Sequence, residues 1–333
     1  MGVIAVTGGA GFIGRHLVRL LAENGARLRV VERSGVTVDV GATPGVDVRF
    51  ADIRDPSAVK RALAGAEFVY HLAANPQLWT RRKADFAAVN FHGAVNVIRA
   101  ALEVGAKKVL HTSTESILTL AEQDGPIREE QTVSINDVIG PYCRSKYRAE
   151  RFALRLGQGG APVVVVNPTL PVGPGDWNRS PPTQMMLDFC LGKRSAYLDA
   201  ELNMIDVRDV ALGMMSAMRV GQPGRRYLLG AEDWSVKRAF DRLAELTGLP
   251  RPSWRVPYAV ALGAAYASEL IADLFTGRVP AATVTGVKLT RRRMSFDASR
   301  SLAELRLRPR PVSESIREAV DWFREVGWLR ARA

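Results

Sequence analysis

The stretch VIAVTGGAGFIG, residues 3–14, decides the fold. A short apolar run ends in glycines at 8, 11 and 14, and the next residues, HLVRLLAENG, carry apolar side chains at helical spacing as far as Gly25. The reading is strand, glycine turn, helix. Missing side chains in such a turn permit its tightness, let backbone approach a pyrophosphate and let the helix pack closely. The helix N-terminus then offers unpaired N–H groups and the positive end of its dipole to phosphates. Glu32 closes the second strand about twenty residues on, where a carboxylate can accept both ribose hydroxyls and favour NAD. Arg33 beside it could meet a 2′-phosphate, so NADP stays open.

Outward from this unit the pattern repeats. LRVVE near residue 30, VDVRF near 48, EFVYHLAA near 70, KKVLHTST near 110 and APVVVVNP near 165 read as strands. Helical stretches, Pro56 to Leu63, Asp85 to Val104 and Ile139 to Leu156, separate most of them. A continuous run such as VVVV at 163–166 suits a strand covered on both faces, so the fold class is α/β, a doubly wound parallel sheet of Rossmann type. Residues 1–168 form the expected dinucleotide-binding domain, with 204–230 returning to it. Residues 169–203 and 231–333 form a smaller, mostly helical substrate domain. PTLPVGPGDWNRSPPT, 168–183, is too rich in breakers for a regular element and reads as a loop over a site, with Trp177 and Asn178 as candidates for a lid.

Composition limits the function classes. The chain of 333 residues has a net charge of +12, which favours acidic partners: a phosphorylated cofactor or substrate, or an anionic membrane surface. No zinc-finger or RNP pattern accompanies that charge, and no aromatic residues interleave a basic run, so no nucleic-acid partner is expected. MGVIAVTGG shows no signal peptide, and the apolar region from Ala259 is broken by Ser268, Glu269 and Asp273, so the expectation is a cytoplasmic protein without a transmembrane segment, peripheral membrane contact remaining open. Two cysteines, Cys143 and Cys190, are too few for a disulfide framework and lack metal-site spacing. No metal is expected.

GPYCRSKYRAE, 140–150, places Tyr142 and Lys146 four residues apart in a predicted helix, on one face. The pair alone is common by chance; a cofactor site in the same chain gives it meaning. TGGAGFIG at 7–14, ADIRD at 51–55, HLAA at 71–74, VNFHGAVNV at 89–97, HTST at 111–114, Tyr142-x-x-x-Lys146 and NPTLPVGPGD at 167–176 together resemble the extended short-chain dehydrogenase/reductases, the NAD-dependent epimerase/dehydratases. PQLW at 76–79, NMIDVRDVA at 203–211 and RRRMSFDASRSLAEL are similar to the hopanoid-associated sugar epimerases, near the dihydroflavonol-reductase-like branch.

The resemblance implies an enzyme, a homodimer, and hydride transfer at a secondary alcohol or ketone of a small, sugar-like or phosphorylated substrate. It assigns Tyr142 as general acid/base, Lys146 as its partner and holder of the nicotinamide ribose, and Thr114 as the polarising hydroxyl, with Ser113 as runner-up. A free phenol titrates near pH 10, so the ammonium and an oxidised nicotinamide are expected to favour its phenolate. Gly8, Gly11, Phe12, Ile13, Gly14, Glu32 and Arg33 would hold the cofactor's first half, and Asp52 and Ile53 its adenine. Leu72, Ala73 and Ala74 would meet its middle, Pro168 and Thr169 its nicotinamide end, and Thr112 is a further cofactor contact. Gln77, Trp79, Glu115, Ser116 and Asn167 follow strand ends and are the substrate candidates. His71 is read as structural. The sequence departs from nucleotide-sugar epimerases at RRRMSFD, where an Arg-x-Gly-Asp stretch is usual, and at ILTLAE, where Tyr-Gly is usual. Net ketone reduction and a non-catalytic dinucleotide sensor are the alternatives to epimerisation.

Overall fold

The structure, a computed structural model, describes residues 2–37 and 45–329. Strand β1 (Val3–Thr7) leads through the glycine turn into α1 (Phe12–Glu23), followed by β2 (Arg27–Glu32) and β3 (Val46–Phe50). Helix α2 (Pro56–Leu63) takes its start from Asp55, whose carboxylate accepts from the N–H groups of Ser57 and Ala58. It ends before β4 (Ala66–His71). A single helical rod then runs through α3 (Ala84–Phe86), a π-helical stretch at Ala87–Gly93 and α4 (Ala94–Glu103). Next come β5 (Lys108–Thr112), a 3₁₀ turn at Glu115–Ile117, α5 (Gly140–Gln158) and β6 (Val163–Pro168).

Beyond β6 the chain forms β7 (Leu170–Val172), α6 (Pro181–Cys190), β8 (Ala196–Tyr197), β9 (Glu201–Asp206), α7 (Val207–Val220) and β10 (Arg226–Leu229). The last part holds β11 (Glu232–Ser235), α8 (Val236–Thr247), β12 (Trp254–Arg255) and α9 (Tyr258–Ile271), which continues into a π-helical turn at Ala272–Thr276. Helices α10 (Val284–Leu289), α11 (Ser299–Leu305) and α12 (Val312–Glu325) close the described chain.

The main sheet is parallel in the order β10-β6-β5-β4-β1-β2-β3. From β1 the chain winds outward to β3, then crosses to β4 on the other side. That reversal opens a crevice at the carboxyl ends of β1 and β4, where open α/β sheets collect ligands. Alternation along each strand explains the two packed faces. Val163 and Val165 join Val59, Leu63, Val97, Ile98 and Leu154 on one face. Val164 and Val166 join Leu17, Val18, Val210, Met214 and Ala217 on the other. An unbroken Val run is therefore buried on both sides, as the sequence pattern predicts.

The Pro/Gly stretch departs from its reading as a featureless loop. Its residues 170–172 form β7, and α6 begins at Pro181. Pro171 is tolerated because β7 is the edge of a small sheet ordered β11-β9-β7, and Pro181 and Pro182 occupy first-turn positions where no N–H partner is lost. The apolar run from Ala259 departs too. Ser268, Glu269 and Asp273 do not interrupt it, and Tyr258–Thr276 is one 19-residue helix, long and apolar enough by length and composition to cross a membrane.

Candidate active site

The glycine turn is shaped by three different demands. Gly8 has φ +75°, and a Cβ there would lie 2.6 Å from the Ala73 nitrogen, so the turn is pressed against the segment after β4. A Cβ on Gly14 would lie 2.1 Å from the Gly8 oxygen, which fixes how closely α1 sits on the turn. At Gly11 a Cβ would meet only the Gly8 oxygen, at 3.2 Å, leaving its outer side open to an approaching group. Gly11 also caps α1 without a side-chain bond, and the first turn of α1 holds no acidic residue. The helix end is thus positive, with no carboxylate from its own first turn to offset it. These features fit a dinucleotide pyrophosphate.

Glu32 ends β2 with its Oε1 accepting from the Ala10 N–H at 2.8 Å, and burial raises its pKa against the opposing pull of Ala10 and Arg33. Its carboxylate is held at the turn, while Arg33 is exposed. Asp52 is forked by Arg54, whose Nη2 donates at 2.5 Å and keeps the carboxylate below its ordinary range. Ile53 is buried under Gly93, where a Cβ would lie 2.6 Å from its Cδ1. Phe12 is buried and Ile13 half-buried at the start of α1. Leu72, Ala73 and Ala74 continue from β4, tied to β1 by the Leu72 N–H donating to the Thr7 carbonyl at 3.0 Å. Pro168 ends β6, and the buried Thr169 donates from Oγ1 to the Leu229 carbonyl at 3.2 Å.

Helix α5 enters through Gly140 at φ +75° and Pro141 in its first turn, then presents Tyr142 and Lys146 to the ends of β5 and β6. Lys146 is 5% exposed, and its Nζ donates to the Thr112 carbonyl at 2.6 Å. Burial brings its ammonium down to about 8, with Glu150 pulling the other way. Tyr142 is half-buried, its ring edge-on to Phe86 at 6.1 Å, and its phenol lies near the Thr114 side chain. The phenol's pKa is raised, chiefly by burial, then by Cys143 and Glu115, with the neighbouring Thr114 side chain opposing. In the protein alone, burial is the largest influence on the phenol, which keeps its proton.

Thr114 is the hub of this cluster. Its Oγ1 donates to Glu115 Oε2 at 2.7 Å and lies 2.9 Å from Ser116 Oγ. The hydroxyls of Ser113 and Thr112 are buried without hydrogen-bond partners. Glu115 has its carboxyl pKa raised, first by burial. His71 is buried, with Nδ1 2.8 Å from Thr7 Oγ1, and burial with the nearby Lys146 charge brings its imidazole down to about 3. It is a neutral core histidine.

The remaining candidates fall in two groups. Gln77 is half-buried on the segment after β4, its N–H donating to Asn75 Oδ1 at 3.1 Å. Trp79 is buried, with Nε1 donating to Asp273 Oδ1 at 3.1 Å. Asn167 is wholly buried, its Nδ2 shared between the Thr114 carbonyl at 3.0 Å and Glu150 Oε2 at 2.6 Å, and its Oδ1 has no partner. Neither Trp79 nor Asn167 is brought to an open surface. Trp177 stacks edge-on to Trp322 at 5.2 Å, on α12, and Asn178 is exposed beside it.

Sequence reasoning missed Asn90 and Glu150. Asn90, in the π-helical stretch, accepts the Asn75 N–H at 2.7 Å and donates to the Asn75 carbonyl at 3.1 Å and Ser145 Oγ at 3.3 Å. It clamps the segment bearing Gln77 to α5. Glu150 is buried between Asn167 and Arg226, whose Nη2 donates at 2.5 Å. The only available signal was VNFHGAVNV, which contains Asn90 without marking it. Among the described residues no group of three or more His, Cys, Asp or Glu side chains could hold a metal.

Comparison with known proteins extends this geometry. The model of the NAD dependent epimerase/dehydratase family matches residues 4–230. A putative dihydroflavonol 4-reductase of Synechocystis sp. is 33% identical over 333 residues, 98% of this chain and 96% of that one. Sterol demethylase protein B of Methylococcus capsulatus is 32% identical over 327 residues, 97% of this chain and 99% of that one. The crystal structure of gox2253 superposes with a TM-score of 0.86 at 33% identity, covering 98% of this chain and 99% of that one.

Proposed function

The chain belongs to the NAD dependent epimerase/dehydratase family and is an NAD(P)-dependent oxidoreductase, and from that premise we propose that it interconverts a secondary alcohol and a ketone, with Tyr142 moving the substrate's hydroxyl proton. The observation that carries this reading is the convergence at the end of β5. Lys146 is anchored on the Thr112 carbonyl, and the phenol of Tyr142, one turn earlier, lies beside the Thr114 side chain. A substrate oxygen between the Thr114 and Tyr142 hydroxyls would receive two hydrogen bonds, one from the group that exchanges its proton.

When bound, NAD supplies the hydride acceptor or donor. The glycine turn and the α1 N-terminus would hold its pyrophosphate, and Glu32 its adenosine ribose. Lys146 would hold the nicotinamide ribose and, with the positive ring of the oxidised cofactor, offset the burial that keeps Tyr142 protonated. The fixed Glu32 carboxylate would repel a 2′-phosphate, so NAD is the proposed cofactor over NADP. Both cysteines are free, and we place the enzyme in the cytoplasm, where thiols stay reduced.

For the substrate, net redox at a carbonyl of an apolar, sterol-like molecule is favoured by the two relatives, whose names are a reductase and a sterol demethylase protein. Epimerisation of a sugar, in which hydride leaves and returns within one site, is the second reading; the family description names epimerases, which supports the epimerisation but not the sugar. Mass spectrometry of the purified protein for retained NAD(H), followed by turnover with NADH and cyclic ketones, tests both. Steady NADH consumption supports ketone reduction. An epimer formed without net NADH change supports the sugar reading. Absence of dinucleotide binding defeats both.

A further inference from the structure

Helix α9 with its π-helical extension is built inside out. Its buried positions, Ala261, Ala265 and Ala272, are small, with Tyr258 and Leu262 partly buried beside them, while its exposed positions include the large apolar Val260, Leu270, Ile271, Leu274 and Phe275. Leu274 is 61% exposed and Phe275 is 80% exposed. Outward residues 260, 264, 267, 271 and 274 recur at helical spacing and include no charge. The two carboxylates of the helix are taken up internally. Glu269 Oε1 accepts from the Val284 N–H at 2.8 Å, and Asp273 Oδ1 accepts from Trp79 Nε1 at 3.1 Å and Lys83 Nζ at 3.2 Å. A soluble core helix of this composition would be mostly buried; this one is 17% buried.

The rim of the apolar face is cationic. Arg278 is exposed at its C-terminal end, with Arg81 close by: a Cβ on Gly277 would lie 3.5 Å from the Arg81 guanidinium. Along its length Arg291 lies over the Tyr258 ring at 4.2 Å and Lys288 over Tyr266 at 5.8 Å. Trp254, 65% exposed, precedes the helix, and a tryptophan suits the polar–apolar boundary. Apolar face, basic rim and internally neutralised acids are together complementary to an anionic bilayer.

We propose that α9 and its extension lie flat in the headgroup boundary of an anionic membrane. About 28 Å of helix is enough to anchor without spanning, because one side stays bonded to Trp79 and packed on α10. The inner side of the helix connects to the candidate active site through Trp79 and α10. Trp79 follows β4, and α10 meets Gly140, where a Cβ would lie 2.4 Å from Thr285 Oγ1, two residues before Tyr142. Resting on the function proposed above, this geometry implies a substrate taken from the bilayer, a lipid ketone or alcohol.

The full chain is tested by flotation with vesicles of phosphatidylcholine alone or with roughly one third phosphatidylglycerol. Strong binding to the anionic vesicles is expected, weakening by at least about tenfold in the Leu270→Ser/Leu274→Ser/Phe275→Ser variant through lost apolar insertion. Arg81→Glu with Arg278→Glu should abolish the preference for anionic lipid. Unchanged circular dichroism would show that the surface variants fold. Absence of binding to either vesicle, or undiminished binding by the triple variant, would overturn the proposal. So would a wild-type dimer that the triple variant splits in analytical ultracentrifugation, since a second copy would then cover the face. Flotation needs neither cofactor nor substrate, and calorimetry with NAD on the same samples separates failure of docking from failure of the enzymatic reading.

Discussion

The ammonium of Lys146 donates to the main-chain carbonyl of Thr112 at 2.6 Å, tying the first turns of α5 to the end of β5. A buried cation held by a backbone oxygen moves only if the strand moves. The angle at which α5 offers Tyr142 to Thr114 therefore follows the sheet and not the flexibility of a surface helix.

Lys146→Met should weaken NAD binding in calorimetry and slow turnover, because the ribose contact and the charge beside Tyr142 are lost together. It should also change the pH dependence of stability. Burial depresses the lysine from 10.5 to about 8, so between those values the unfolded chain binds more protons than the folded one, and stability gains as pH rises. Urea titrations from pH 7.5 to pH 10 should show a lysine-dependent gain on the order of 1–3 kcal/mol in the wild type, absent from the variant.

Tyr142→Phe keeps the ring against Phe86 but removes the hydroxyl at Thr114. Turnover on the true substrate should fall by about two to four orders of magnitude, the worth of one general acid/base, while NAD affinity stays within about twofold. Near-normal turnover would refute the assigned role. Collapse of cofactor affinity alone would favour a dinucleotide sensor.

Glu32→Ala should narrow the preference for NAD over NADP by removing a carboxylate from the site proposed for the 2′-hydroxyl. Calorimetry of the wild type showing NADP bound as tightly as NAD would contradict the assignment. The variant also leaves the Ala10 N–H without its acceptor, so a lower melting temperature is expected beside the altered selectivity.

Asn90→Ala should cost about 1–3 kcal/mol in denaturant unfolding, because the half-buried Asn75 main chain loses both bonds to the buried Asn90 side chain. The segment bearing Gln77 should loosen, raising KM more than it lowers kcat. An unchanged KM would show that this segment does not position substrate.

The main sheet was legible because its signals are local: glycines at 8, 11 and 14, and strands such as Val163–Val166 with no polar interruption. The Tyr142/Lys146 spacing was legible for the same reason. The Asn90–Asn75–Ser145 clamp and the Glu150–Asn167–Arg226 cluster were not, because each joins residues brought together only by the crossover helices. The outward face of α9 was hidden for a different reason. Hydropathy measures how apolar a helix is, not which way it points, and alanines at 261, 265 and 272 give no sign that they are the inner stripe. Pro171 and Pro181 misled because breakers are tolerated at an edge and in a first turn.

Strand β10 has a consequence for the order in which the protein can be made. It is the seventh strand of the main sheet, paired to β6 from Arg226 through Leu229, yet it follows β7, α6, β8, β9 and α7 in the chain. On the ribosome the open edge of β6, which β10 pairs with at residues 165–168, must wait without its neighbour until that whole excursion has emerged. Nascent chains stalled before residue 226 should thus be held by chaperones or aggregate, and those stalled far enough beyond Leu229 to clear the exit tunnel should become resistant to pulse proteolysis across β1–β6.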